Sequence, residues 1–132
     1  MAIPSDNLKT NYLRMNNFKE LKVWQRAIEL VILIYKITQT FPTEEGYGLT
    51  SQIRRAASSI PSNIAEGAGR MSPEDFIHFL NIARGSSFEL ETQLIIAHEL
   101  NYVSQPDFES LTQKLDEIQK MISGLQRSIN NK

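Results

Sequence analysis

The stretch LTSQIRRAASSIPSNIAEGAGR, residues 49–70, carries two signals that oppose each other. Leu49, Ile53, Ala56, Ile60 and Ile64 recur at steps of three and four, the period of one helix face. Pro61 lies inside that period, with no N–H for the carbonyl of Ala57 and a ring that crowds the same carbonyl. The chain must either continue as one bent helix or break into two at Ile60. Isoleucine is a poor N-cap, and a second piece would last about one turn before Gly67. The expectation is therefore a continuous, Pro-kinked helix. Ala57, Ser58, Ser59, Ser62 and Ala65 surround the bend. They leave room for a neighbouring helix to come close and put hydroxyls within reach of freed backbone groups.

The rest of the chain reads as partners for that helix. Phe18 to about Thr40 forms a first helix with two adjoining apolar stripes, one through Trp24, Ile28, Val31, Tyr35 and Thr38, the other through Val23, Ala27, Leu30, Ile34, Ile37 and Phe41. Only Glu29 and Lys36 interrupt Ala27 to Ile37. A face this wide exceeds what one small bundle core needs, so a second copy of the chain is the expected cover. Phe41 and Pro42 end the helix, and Gly46 and Gly48 sit in a short connection that lacks the strand and the Lys-Ser or Lys-Thr of a nucleotide loop. Gly67, Ala68 and Gly69 end the central helix, with glycine available for a left-handed terminal residue.

Two further helices open with the same device. Met71-Ser72-Pro73-Glu74-Asp75-Phe76 reads as staple, N-cap, first-turn proline, two acids and the staple's partner, and Val103-Ser104-Gln105-Pro106-Asp107-Phe108 repeats it. The third helix has a buried stripe of Phe76, Phe79, Leu80, Ala83, Ser87, Leu90, Leu94 and Ala97, with a narrow waist at Gly85, Ser86 and Ser87. The fourth steps through Phe108, Leu111, Leu115, Ile118, Ile122, Leu125 and Ile129. No strand pattern competes, so the chain is expected to be all-α, an up-down antiparallel four-helix bundle over residues 18–132. The polar, unperiodic residues 1–17 read as a flexible N-terminal arm.

Little in the chain suggests catalysis. Without cysteine there are no disulfides, thiolate metal sites or thiol nucleophiles. No signal-peptide core is present, and the longest apolar run, Leu30 to Tyr35, is too short for a bilayer, so a cytoplasmic protein with no membrane contact is expected. His78 and His98 lack metal-ligand spacing, Glu89 and Glu91 point to different sides, and no histidine is spaced to activate Ser58, Ser59, Ser62, Ser86 or Ser87. We therefore expect no metal, no cofactor and no enzyme activity.

Charge offers more. Residues 1–70 hold nine Lys or Arg against six Asp or Glu, a balance of +3, and the remainder holds five against nine, −4. Such asymmetry suits a nucleic-acid face or head-to-tail contact between copies. Lys22 and Arg26, with Lys19, fall at helical steps away from the first helix's apolar stripe; Arg54, Arg55 and Arg70 lie on or beyond the central helix. Arg54 and Arg55 adjoin a buried face, so at least one is expected to pair with a carboxylate such as Glu66. Multiplied around an assembly, Lys22, Arg26, Arg54, Arg55 and Arg70 would make a phosphate-binding surface for RNA or DNA. No aromatic residues interleave them, so sequence-specific reading is not expected.

The runs FKELKVWQRAIEL, FPTEEGYGLTSQIRRAASSIPSNIAEG, Ser-Pro-Glu-Asp-Phe and GSSFELETQL together resemble a four-helix bundle family named for proteins encoded in intervening sequences of bacterial 23S ribosomal RNA genes. The resemblance spans roughly Phe18 to Ile129, and SIPSNIAEG is its most specific segment. It implies a cytoplasmic bacterial protein that assembles as a ring-like homopentamer. A related branch, the accessory variability proteins of diversity-generating retroelements, binds nucleic acid and a reverse transcriptase. Two functions follow as expectations: an oligomer that contacts nucleic acid non-specifically, or a scaffold for a protein partner with no nucleic-acid role.

Overall fold

Pro61 is accommodated inside an unbroken helix. The computed structural model describes residues 17–131, so the arm expected over residues 1–17 lies outside the described residues except for Asn17. Four α-helices follow in order: α1 (Lys22–Thr38), α2 (Leu49–Ala68), α3 (Pro73–Glu99) and α4 (Gln105–Asn130), with single 3-10 turns at Phe18–Glu20 and Thr43–Glu45. In α2, Ile53, Ile60 and Ile64 are completely buried. Each contributes roughly 1.5–3 kcal/mol by burial, against about 3 kcal/mol for an interior proline, so the apolar period wins. The neighbouring serines do not repair the gap at Ala57: Ser58 Oγ donates to the Arg55 carbonyl (3.2 Å), and Ser59 Oγ bonds Ser86 Oγ across to α3 (2.8 Å).

The first helix starts later than its periodicity suggests. Leu21 is extended (φ −71°, ψ 124°), which separates the 3-10 turn from α1. The turn then folds back on the helix: Phe18 meets Trp24 edge-on at 5.2 Å, and the Gln25 amide donates to the Lys19 carbonyl at 2.9 Å. At the other end α1 stops at Thr38, whose hydroxyl donates to the Ile34 carbonyl (2.7 Å), and Phe41 turns into the core.

Helix α1 packs on α2 and α4, and α3 packs on the same two, most extensively on α2. The section is a square with α1 and α3 on one diagonal. Its core is built from the stripes read in the sequence, with Leu30, Ile34, Leu80, Leu90, Leu94, Leu111, Leu115, Ile118 and Ile122 fully buried. Ser72 and Ser104 cap α3 and α4, accepting from the Asp75 and Asp107 amides at 3.0 and 3.3 Å. Of the two staple residues read in the sequence, Val103 is buried, whereas Met71 is 79% exposed and closes no staple. Between α3 and α4 the chain reverses through Asn101 in the left-handed region (φ 65°), with the Tyr102 amide bonded to the Ala97 carbonyl. The Tyr102 hydroxyl donates to Glu45, which also accepts from the Leu49 amide. That bond to Glu45, with partial burial and the Glu45 and Glu44 charges behind it, raises the phenol's pKa above 10.0. The contact is therefore intact below pH 10 and is lost as pH rises through the raised value.

The glycines act differently from their sequence reading. Gly69 takes a right-handed conformation, so no left-handed cap ends α2. Gly67 instead sits where a Cβ would lie 2.8 Å from Phe79 Cβ and 3.0 Å from the Phe76 ring, which makes it a point of close approach between α2 and α3. Gly85 is not part of that crossing, since a Cβ there would meet nothing within 4 Å; the waist of α3 is Ser86 and the fully buried Ser87. Gly85→Ala should therefore stabilise the protein by up to about 1 kcal/mol through helix propensity, read as a higher midpoint in thermal unfolding.

Candidate nucleic-acid interface

Two of the five cations singled out by sequence share one cleft. Arg54 lies one turn into α2, half-buried against the end of α1. Its Nε donates to Thr38 Oγ1 (2.9 Å), a terminal nitrogen donates to the Tyr35 carbonyl (3.4 Å), and the guanidinium lies 4.6 Å from the Tyr35 ring centre. The last turn of a helix leaves carbonyls without helix partners, and Arg54 serves that need. Its partners are a hydroxyl, a carbonyl and a ring, not the carboxylate expected from sequence. Arg55 is exposed, and its guanidinium has no ion-pair or hydrogen-bond partner among the described residues. Arg54 and Arg55 line an open cleft of about 420 Å³ with Ser51, Ser58 and Thr50.

The other three lie elsewhere. Lys22 and Arg26 occupy the first turns of α1, and Arg70 follows the end of α2. At a rise of 1.5 Å per residue, Arg70 is about 24 Å along the axis from Arg54. Arg26 pairs with Glu29 (3.2 Å) and with Glu117 of α4 (3.4 Å). Arg70 pairs with Glu66 (2.7 Å), the partner that sequence had offered to Arg54 or Arg55, and lies 4.9 Å from the Phe79 ring centre. These pairs are exposed and worth about 0–1 kcal/mol, so a phosphate can displace the carboxylates at little cost.

A third basic group escaped sequence reading because it forms across helices. Arg84 and Phe88 of α3 line an opening of about 270 Å³ with Lys120 and Arg127 of α4. Arg84 lies 5.7 Å from the Phe88 ring centre, and Lys120 pairs with Asp116 at 3.0 Å. The i, i+4 spacing of Arg84 and Phe88 was legible, but their position opposite α4 was not.

Two apolar faces remain uncovered. On α1, Ile32 is 51% and Tyr35 43% exposed beside half-buried Trp24, Ile28 and Val31; Tyr35, Trp24, Ile28 and Val31 belong to one of the two stripes read in the sequence, and Ile32 to neither. On α3, Ile82, Phe88, Ile95 and Ile96 are exposed, which the sequence reading missed. Gln93, nine-tenths buried on the same helix, has a side-chain oxygen with no hydrogen-bond partner. Because α1 and α3 are diagonal in the bundle, these exposed residues form two separate surfaces.

Among the described residues, no cluster of three or more His, Asp or Glu could hold a metal ion, and no helix is long and apolar enough to cross a membrane. His78 is exposed beside Phe79, whereas His98 is half-buried and stacks on Phe108 with ring centres 4.2 Å apart.

A family model described as 23S rRNA-intervening sequence protein matches residues 19–124. Among solved structures, the chain is similar to a protein of unknown function from the S23 ribosomal protein family of Bacteroides thetaiotaomicron. The two are 26% identical and superpose with a TM-score of 0.75 over 86% of this chain and 98% of that one. No curated protein matches the chain.

Proposed function

The chain belongs to the 23S rRNA-intervening sequence protein family, and from that membership we propose a non-enzymatic, cytoplasmic protein that works as a ring of identical copies, five in number, and holds RNA or DNA by its phosphates. The observation that carries assembly is the exposure of apolar residues on two separate helices, α1 and α3. A two-fold dimer uses one patch twice, whereas two different patches on one chain suit head-to-tail contact, which makes a ring when the rotation between copies closes.

Nucleic-acid binding rests on cations repeated around that ring. Arg55 is the clearest phosphate contact, with Arg54 beside it, while Lys22, Arg26 and Arg70 contribute from the opposite end of α2. Binding of this kind is electrostatic and indifferent to sequence. The affinity for a mixed-sequence RNA should fall steeply with salt, and Arg55→Ala should reduce the log–log slope by roughly one for each copy in contact. Arg54→Ala is a poorer probe because it also uncaps α1. Absence of binding at low salt, or binding unchanged when Arg55→Ala is combined with Lys22→Ala, Arg26→Ala and Arg70→Ala, would leave the protein as a scaffold for a protein partner.

A further inference from the structure

We propose that the cleft at the start of α2 is a discrete site for a single phosphate group, held by Arg55, by the unused nitrogen of Arg54 and by the hydroxyl of Ser51. The proposal deepens the nucleic-acid reading by locating one phosphate contact, and it also stands alone if the ligand is a small phosphate. Three independent features converge there. No carboxylate lines the cleft, and its side chains present guanidinium and hydroxyl donors. The cleft also lies at the N-terminus of a 20-residue helix whose N-cap, Gly48, offers no side chain. Glu45 takes the Leu49 amide and is occupied further by Tyr102, which leaves the Thr50 and Ser51 amides without intrahelical acceptors. Finally, Thr50 is only 7% exposed, and its hydroxyl oxygen is covered and has no hydrogen-bond partner. A buried hydroxyl left unpaired beside two arginines marks a place where a polar ligand completes the structure.

Arg54 makes the site preorganised. Thr38, the Tyr35 carbonyl and the Tyr35 ring already fix its guanidinium, so little further side-chain entropy is lost when a phosphate docks. Arg55 supplies the uncommitted charge. At about 420 Å³ and open to solvent, the cleft has space for a phosphate together with the group that carries it. Both a nucleic-acid backbone and a small phosphate monoester present that chemistry.

The test uses the full chain, with inorganic phosphate titrated calorimetrically at constant ionic strength and then used as competitor against a labelled mixed-sequence RNA. Phosphate should bind once per chain. Arg55→Ala should weaken it about tenfold or more, as expected for losing a charge-assisted hydrogen bond, and Ser51→Ala should also weaken it, while Lys114→Ala, at an exposed position on α4, leaves it unchanged. Arg55 is exposed, so its variant should keep the wild-type circular dichroism spectrum and unfolding midpoint. Competition between phosphate and RNA would support the site as an RNA contact. Phosphate binding without RNA binding would retain the site and remove the nucleic-acid reading. RNA binding with no phosphate binding, and with Ser51→Ala unchanged, would overturn the site and leave only diffuse electrostatics. Phosphate binding that survives Arg55→Ala undiminished would overturn it as well.

Discussion

Replacing Gly67 by valine is expected to destabilise the protein by about 1–3 kcal/mol, toward the upper end of the range for overpacked cores. The first atom added would lie 2.8 Å from Phe79 Cβ, 3.0 Å from the Phe76 ring and 3.3 Å from the Phe76 carbonyl. Phe79 Cβ and a main-chain oxygen cannot rotate away as the tip of a long side chain can. The helices must separate instead, and α2/α3 is the most extensive contact in the bundle. Valine adds two methyl groups to that clash and, unlike alanine, recovers little helix propensity. Denaturant unfolding at fixed chain concentration measures the loss. Gly85→Ala should move stability the other way, so the pair separates a packing role for Gly67 from any general intolerance of side chains at helical glycines.

The second large effect concerns assembly. Ile96→Glu, and separately Ile32→Glu, should convert the proposed oligomer to 15.1 kDa monomers without loss of helicity. Ile96 is 45% and Ile32 51% exposed on the isolated chain, so a carboxylate at either position stays hydrated in the monomer. Covered by a neighbouring copy, the same carboxylate loses water and gains no partner, a cost of several kcal/mol at every interface of the ring. Each substitution damages a different face, so a head-to-tail ring is broken by either one. Light scattering gives the mass and circular dichroism the fold. Retained assembly in both variants would remove these faces from the interface.

Most of the fold was legible because it depends on local periodicity. The stripes of α3 and α4 and the serine caps at Ser72 and Ser104 were read directly, and the burial of three isoleucines kept α2 whole through Pro61. The misreadings arose where tertiary contact decides. Leu21 broke the first helical pattern because Phe18 and Gln25 fold the preceding turn back over α1. Gly67 looked like part of a terminator and is a packing contact, which only the position of α3 reveals. The site was less legible than the fold. Arg54 and Arg55 were named, but Arg54's attachment to Thr38 and Tyr35 depends on the antiparallel return of the chain. The buried hydroxyl of Thr50 has no sequence signature, and the grouping of Arg84 and Phe88 with Arg127 arises only when α3 meets α4.

The mass of the full chain in solution tests the central claim most directly. At micromolar concentration and moderate salt, light scattering should give one species at five times 15.1 kDa, the proposed ring joined through the exposed apolar residues of α1 and α3. A monodisperse 15.1 kDa species under the same conditions would contradict self-assembly, and with it the reading of Ile32 on α1 and Ile96 on α3 as surfaces that copies share.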